Sequence, residues 1–196
     1  MTDYGQINPT TKRWEIIQKT IKNNNFNTIV EIGTWKGMGS TLSVLTSKND
    51  DTNFITLESN LEFYTIAKKN LSSFEGKFNQ LFGRIVDVEE VINFTENYSL
   101  SPEQIQWLNE DISNFKDCPN VLESLPEKID FLILDGGEFS TYSEWTKLKN
   151  RSEFVALDDI NVLKCEKIYN ELLQNSEYTL IEKTDEGHGF CVFRKN

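Results

Sequence analysis

What the sequence has little of narrows its function first. It holds 3 cysteines, Cys118, Cys165 and Cys191, far apart and without a C-x-x-C pair. That arrangement offers neither a disulfide framework nor a zinc site, and it reads as free thiols in a reducing compartment. Basic residues are outnumbered: 20 Lys+Arg face 31 Asp+Glu, for a formal net charge of -11. They are also scattered, so neither nucleic acid nor an anionic membrane is expected as a partner. No stretch is long enough to span a bilayer, and the N-terminus is polar, without an apolar leader. The chain is expected in the cytoplasm. Two nucleotide signatures are missing as well. The G-x-G-x-x-G fingerprint, begun at Gly37 and Gly39, meets Leu42 where its third glycine belongs. The phosphate loop fails because Lys36 precedes its glycine instead of following it.

What is present is a strand running into a glycine-rich loop. Thr28-Ile29-Val30-Glu31-Ile32 is a short, mainly apolar run that stops at Gly33. Such a run, bounded by turn residues, reads as a buried parallel strand. Gly33, Gly37 and Gly39 follow, and Ser40-Thr41 open a helix. Glycine is needed where backbone turns sharply or comes close to a ligand. A helix start leaves N–H groups unpaired and ready for a polar or anionic ligand. The stretch from Glu31 to Ser40, with Thr34, Trp35 and Lys36 inside it, is thus a candidate cradle for a small cofactor. A second strand, Phe54-Ile55-Thr56-Leu57, ends on Glu58 and Ser59. The distance from Gly33 to Glu58 is near the roughly 20 residues that separate a glycine loop from an acid accepting ribose hydroxyls.

With 196 residues the chain is expected to form one domain. Residues 1–27 read as an irregular arm and a helix carrying Trp14, Ile17 and Ile21 on one face. Leu61 to Leu71 is a further helix, and 78–85 a third strand and turn that includes Gly83-Arg84-Ile85. Residues 87–127 exceed a simple crossover and read as two helices, the second opening at Ser101-Pro102-Glu103. Lys128–Leu134 is a clear strand ending in Asp135-Gly136-Gly137-Glu138. A helix with Tyr142, Trp145 and Leu148 follows, then a strand over 152–157 ending in Asp158-Asp159, and a helix from Lys164 to Leu173. The last two strands, 178–181 and 189–193, pair as a hairpin. Strands alternating with helices predict a parallel sheet, and the hairpin adds an antiparallel edge.

The spacing acidic-x-G-x-x-x-G-x-G over Glu31, Gly33, Gly37 and Gly39 resembles the first motif of class I S-adenosylmethionine (SAM)-dependent methyltransferases. With the terminal hairpin, the likeness covers nearly the whole chain. It implies an α/β fold: a Rossmann-like, seven-stranded, mainly parallel sheet with a C-terminal antiparallel hairpin and helices on both faces. It also implies SAM as cofactor, held by Glu31, Gly33, Thr34, Trp35, Lys36, Gly37, Gly39 and Ser40 at its amino-acid end. Glu58, Ser59, Arg84 and Asp135 complete the implied cofactor set, with Arg84 in a loop near the adenine.

Acids end three strands: Glu58, Asp135 and the pair Asp158-Asp159. Ligands of open α/β sheets bind outside the carboxyl ends of the strands, so all four acids share one rim. Clustered carboxylates repel unless a cation is present. Asp135, Asp158 and Asp159 resemble the ligands of metal-dependent O-methyltransferases of the catechol and macrocin types, which implies Mg²⁺. Helix capping by Asp158 or Asp159 and turn formation by Asp135 are the alternative roles. The macrocin-type enzymes often carry a histidine just past the first aspartate, where this chain has Glu138. Glu138 and His188, the one histidine, are therefore both candidate bases. The expected function is methyl transfer from SAM to a hydroxyl of a small molecule, a sugar included, with Mg²⁺ assistance. A metal-independent N- or carboxyl-methyltransferase and a non-catalytic SAM-binding partner protein remain the alternatives.

Overall fold

The computed structural model describes residues 4–96 and 98–196; residues 1–3 of the expected arm and Asn97 of the expected insertion lie outside them. Seven strands form one sheet: β1 (Thr28–Ile32), β2 (Asn53–Glu58), β3 (Asn79–Phe82), β4 (Ile129–Leu134), β5 (Ser152–Asp158), β6 (Tyr178–Thr184) and β7 (Phe190–Lys195). Their order is β3-β2-β1-β4-β5-β7-β6. β1 lies parallel between β2 and β4, with Val30 opposite both Ile55 and Leu132. Only β7 runs against its neighbours, pairing antiparallel with β5 and β6.

The central strands bury both faces, and their alternation sorts the core in two. Ile29, Phe131, Ile133, Phe154 and Ala156 point to one face, where α1 (Lys12–Lys22) and α2 (Ser40–Leu45) supply Trp14, Ile17 and Val44. Val30, Leu132, Leu134, Val155 and Leu157 point to the other. That face is covered by α4 (Val88–Thr95), α5 (Pro102–Asp117), α6 (Thr141–Leu148) and α7 (Glu166–Gln174), through Val91, Phe115, Trp145, Leu148, Ile168 and Leu172. α3 (Leu61–Asn70) packs beside β2 and β3. The three cysteines are free and buried.

Local signals account for the helix starts. Thr11 accepts from the Trp14 N–H at the head of α1, and Asn60 accepts from Phe63 N–H at the head of α3. In α5 the Ser101 hydroxyl accepts from Gln104 N–H at 3.2 Å, while the Gln104 amide oxygen accepts from Ser101 N–H at 3.0 Å. This reciprocal box, with Pro102 in the first turn, fixes where the helix begins. α2 is short, with 6 residues. One boundary differs from expectation. α7 starts at Glu166, which leaves Lys164 in the loop after β5 instead of on a helix.

Candidate active site

The carboxyl ends of β1, β2, β4 and β5 open into a cavity of about 670 Å³, within the usual range for small-molecule sites. Gly33 sits where the β1 loop passes closest to the β4 loop. Its φ is +96°, and a Cβ there would lie 2.2 Å from the Asp135 carbonyl oxygen. Neither the backbone angle nor the space admits a side chain. The turn is held by Gly33 and Thr34 N–H groups, both donating to Leu57 carbonyl at 3.0 Å. Trp35 also has positive φ, 46°, and this bend points its N–H at Glu58 Oε2, 2.7 Å away. Asn60 N–H donates to the other oxygen of Glu58 at 2.9 Å. The Glu58 carboxylate is thereby fixed in the cavity wall. Burial pushes its pKa up, against these backbone hydrogen bonds.

Of the expected cofactor residues, Gly33, Thr34, Trp35, Gly39 and Ser40 line the cavity, as do Glu58, Ser59, Arg84 and Asp135. Three do not. Glu31 turns into the fold, where its Oε2 accepts from the Thr41 and Thr56 hydroxyls, each at 2.6 Å. Burial pushes its pKa to about 7, and its Oε1 has no partner. Glu31 ties the glycine loop to β2 from behind. Gly37 faces Leu71 and Ala67 of the α3 end, not the cavity. Lys36 lies over the Trp35 ring, 4.5 Å from its centre. Arg84 lines the wall, yet its guanidinium is engaged by the Phe115 and Val86 carbonyls and by Asp87.

The aspartates at the ends of β4 and β5 come together on the same rim. Asp135, Asp158 and Asp159 all line the cavity, but cations of the chain itself hold them. The Lys164 ammonium lies 2.8 Å from Asp135 Oδ1, 3.4 Å from Asp158 Oδ2 and 3.2 Å from Asp159 Oδ2. The Arg13 guanidinium, only 2% exposed, lies 2.9 Å from Asp158 Oδ1 and 3.5 Å from Asp159 Oδ1. Ser40 hydroxyl donates to Asp135 Oδ2 at 3.1 Å. Burial alone would lower the Lys164 pKa; the charges of Asp135, Asp158 and Asp159 outweigh it and hold it well above the ordinary lysine value. Burial and the Asp135 charge push the Asp158 carboxyl up, and Lys164 pulls it back. With a guanidinium so near, the geometry supports the ionised pair. These oxygens do not fit a divalent cation as they stand, because an ammonium occupies the point where all three acids converge. Among the described residues no group of His, Cys, Asp or Glu is arranged to hold a metal ion.

The two candidate bases lie off the cavity wall. Glu138 is half-buried, and burial raises its pKa against the pull of Lys164, with Asp159 adding to the rise and His188 opposing it. His188 is exposed in the loop between β6 and β7.

Sequence reasoning missed five charged members of the site. Arg13 and Lys164 are two. Glu110 and Asp111 on α5 and Glu144 on α6 are the others, and all three line the cavity. Burial, then the charges of Glu110 and Glu58, push Asp111 to about 7. Burial pushes Glu144 to about 8, and its Oε2 is buried without a hydrogen-bond partner. The 87–127 segment therefore contributes a wall of the site through α5. The N-terminal arm contributes too, through Gln6 and Ile7.

In sequence the chain matches no protein-family model and no curated protein. In structure it matches many solved methyltransferases. One is the O-methyltransferase from Bacillus cereus in complex with S-adenosylhomocysteine (SAH): 13% identity, 99% of this chain, 85% of that one, TM-score 0.67. Another is the O-methyltransferase TomG of Streptomyces achromogenes, involved in tomaymycin synthesis and solved with SAM: 14% identity, 93% and 79% of the two chains, TM-score 0.62. SAH-bound PaMTH1 of Podospora anserina matches at 12% identity over 93% and 77%, TM-score 0.61. Together with the strand order, these likenesses show that the chain has the Rossmann-like fold of SAM-dependent methyltransferases.

Proposed function

We propose that this chain is a single methyltransferase domain that transfers the methyl group of SAM to a hydroxyl of a small molecule. The observation that carries the reading is the fixed Glu58 carboxylate, which lines the cavity together with Gly33 and Asp135. Each Glu58 oxygen accepts a backbone N–H, and a carboxylate oxygen offers more than one acceptor position, which suits the two hydroxyls of a ribose. The lining holds the carboxylates Glu58, Glu110, Asp135, Asp158 and Asp159 against the cations Lys164 and Arg84. That favours a cofactor bearing a sulfonium and an ammonium. SAM, when bound, supplies an electrophilic methyl group.

The chain's residues do the rest. The glycine loop and Glu58 orient the cofactor, and the cavity holds the acceptor oxygen in line. Glu138, with its raised pKa, is the favoured proton acceptor, and His188 the second candidate. An acceptor rich in hydroxyls, such as a sugar, fits an acidic lining because each O–H finds an acceptor. No step of this reading uses Mg²⁺, since Lys164 and Arg13 already pair with the rim acids. The free cysteines fit a cytoplasmic location, and no helix among the described residues is long and apolar enough to cross a membrane.

Titration calorimetry with SAM, SAH and NAD tests the cofactor. Micromolar binding of SAM or SAH is expected, and binding of NAD alone would refute the reading. Labelled SAM with candidate hydroxyl, amine and carboxylate acceptors then separates the O-methyltransferase from its N- and carboxyl-directed alternatives. Binding without any turnover would point to a SAM-binding partner protein.

A further inference from the structure

We infer that Lys164 is the resident cation of the acidic rim, a positioning residue that holds Asp135, Asp158 and Asp159 in the place where a divalent ion would otherwise be needed. The inference deepens the methyltransferase reading by assigning a role at its site, but its evidence is the cluster itself. An ammonium has three N–H donors. Each is matched to one carboxylate, at 2.8, 3.4 and 3.2 Å. The opposite oxygens are taken as well: those of Asp158 and Asp159 face Arg13, and that of Asp135 faces Ser40. All six carboxylate oxygens of the rim thus have a partner.

Neither cation is free to swing away. Lys164 is 6% exposed and sits in the short loop between β5 and α7. Arg13 is clamped by the loop before β7, where Glu186 carbonyl accepts from its Nε at 3.2 Å and its Nη2 at 3.0 Å. Gly187 lets the guanidinium pass: a Cβ there would lie 1.8 Å from Nη2, and φ is +63°. Asp159 takes φ 60°, a bend that turns both acids of the pair toward the two cations. A buried charge is retained only when paired and hydrogen-bonded, and here three anions meet two cations in one network. Mg²⁺ needs close to octahedral oxygen ligation at roughly 2.0–2.1 Å. To enter, it would have to displace the ammonium from the point where the three carboxylates converge.

The test is a Mn²⁺ titration followed by electron paramagnetic resonance, on the wild type and on Lys164→Met, with SAM absent so that failure of the cofactor reading cannot affect the result. The wild type should leave Mn²⁺ free at concentrations up to millimolar. Lys164→Met removes the positive charge and opens the centre, so it should bind Mn²⁺ at least roughly a hundredfold more tightly, given the size of charge interactions at this range. If the variant melts early, Mn²⁺ should restore its melting temperature. Tight Mn²⁺ binding by the wild type overturns the inference. So does a variant that is neither bound nor stabilised by the ion.

Discussion

Glu144→Gln provides a sharp test of the cavity's electrostatics. Glu144 is 4% exposed, and burial lifts its carboxyl from 4.5 to about 8. In the folded protein it therefore stays protonated across the range in which the unfolded chain has already released that proton. Stability is fully present below the unfolded pKa and falls as pH rises, until the folded pKa is passed. The slope for one such proton is about 1.4 kcal/mol per pH unit. Between pH 5.5 and 7.5 Glu144 should thus remove on the order of 2–3 kcal/mol. In a chain of this length that is roughly 5–10 °C of melting temperature.

Glutamine keeps the shape and cannot ionise. Below the unfolded pKa of 4.5 the variant should match the wild type to within about 1 kcal/mol, because the carboxyl is neutral there in folded and unfolded chain alike; at pH 5.5 it should already be ahead by about 1.4 kcal/mol. At pH 7.5 it should be the more stable protein. Glu31 and Asp111, each pushed to about 7, remain in both proteins and give both a downward slope. The difference between the two slopes isolates Glu144. Thermal melts at half-unit pH steps measure it, and parallel curves would show that Glu144 is ionised in the folded state and the burial argument is wrong.

Other substitutions probe the rest of the site. Gly33→Ala forces a Cβ onto the Asp135 carbonyl at positive φ; it should cost several kcal/mol and abolish SAM binding, and wild-type affinity in calorimetry would refute the close-approach argument. Glu58→Ala should weaken SAM or SAH roughly 10–100-fold through loss of charge-assisted hydrogen bonds, with little effect on folding; unchanged affinity would remove the ribose assignment. Glu138→Gln should lower kcat about 10²–10⁴-fold and leave SAM affinity nearly intact, while His188→Ala costs much less; the reverse order would make His188 the base. Gly187→Ala should displace Arg13 and lower the melting temperature, and a wild-type melt would show that the Arg13 clamp is dispensable.

How far the sequence disclosed this site depended on which residues carry a local signal. Buried parallel strands are apolar runs bounded by turns, so Thr28–Ile32 and Ile129–Leu134 could be located from pattern alone. Asp135 at the tip of the second came with it, because topology puts every strand end on one rim. Arg13 and Lys164 carried no such signal. Arg13 precedes the apolar face of α1 and its partner Asp158 lies 145 positions away, so its inward turn is set by tertiary contacts. Asp111 and Glu144 did leave a trace. Asp111 stands between Leu108 and Phe115 on the inward stripe of α5, and no basic residue lies three or four places from it. Glu144 stands in the stripe Thr141, Trp145, Leu148 of α6, and its neighbour Lys147 turns away to Glu90 at 2.9 Å. An acid in an apolar stripe without a basic partner one turn away has few stable choices: it must bury itself neutral or face a cavity. Both residues line the cavity, but only Asp111 meets this condition in the sequence, since Lys147 stands three places after Glu144; a stripe-breaking acid with no basic neighbour is therefore the form of the sign that pattern alone can read.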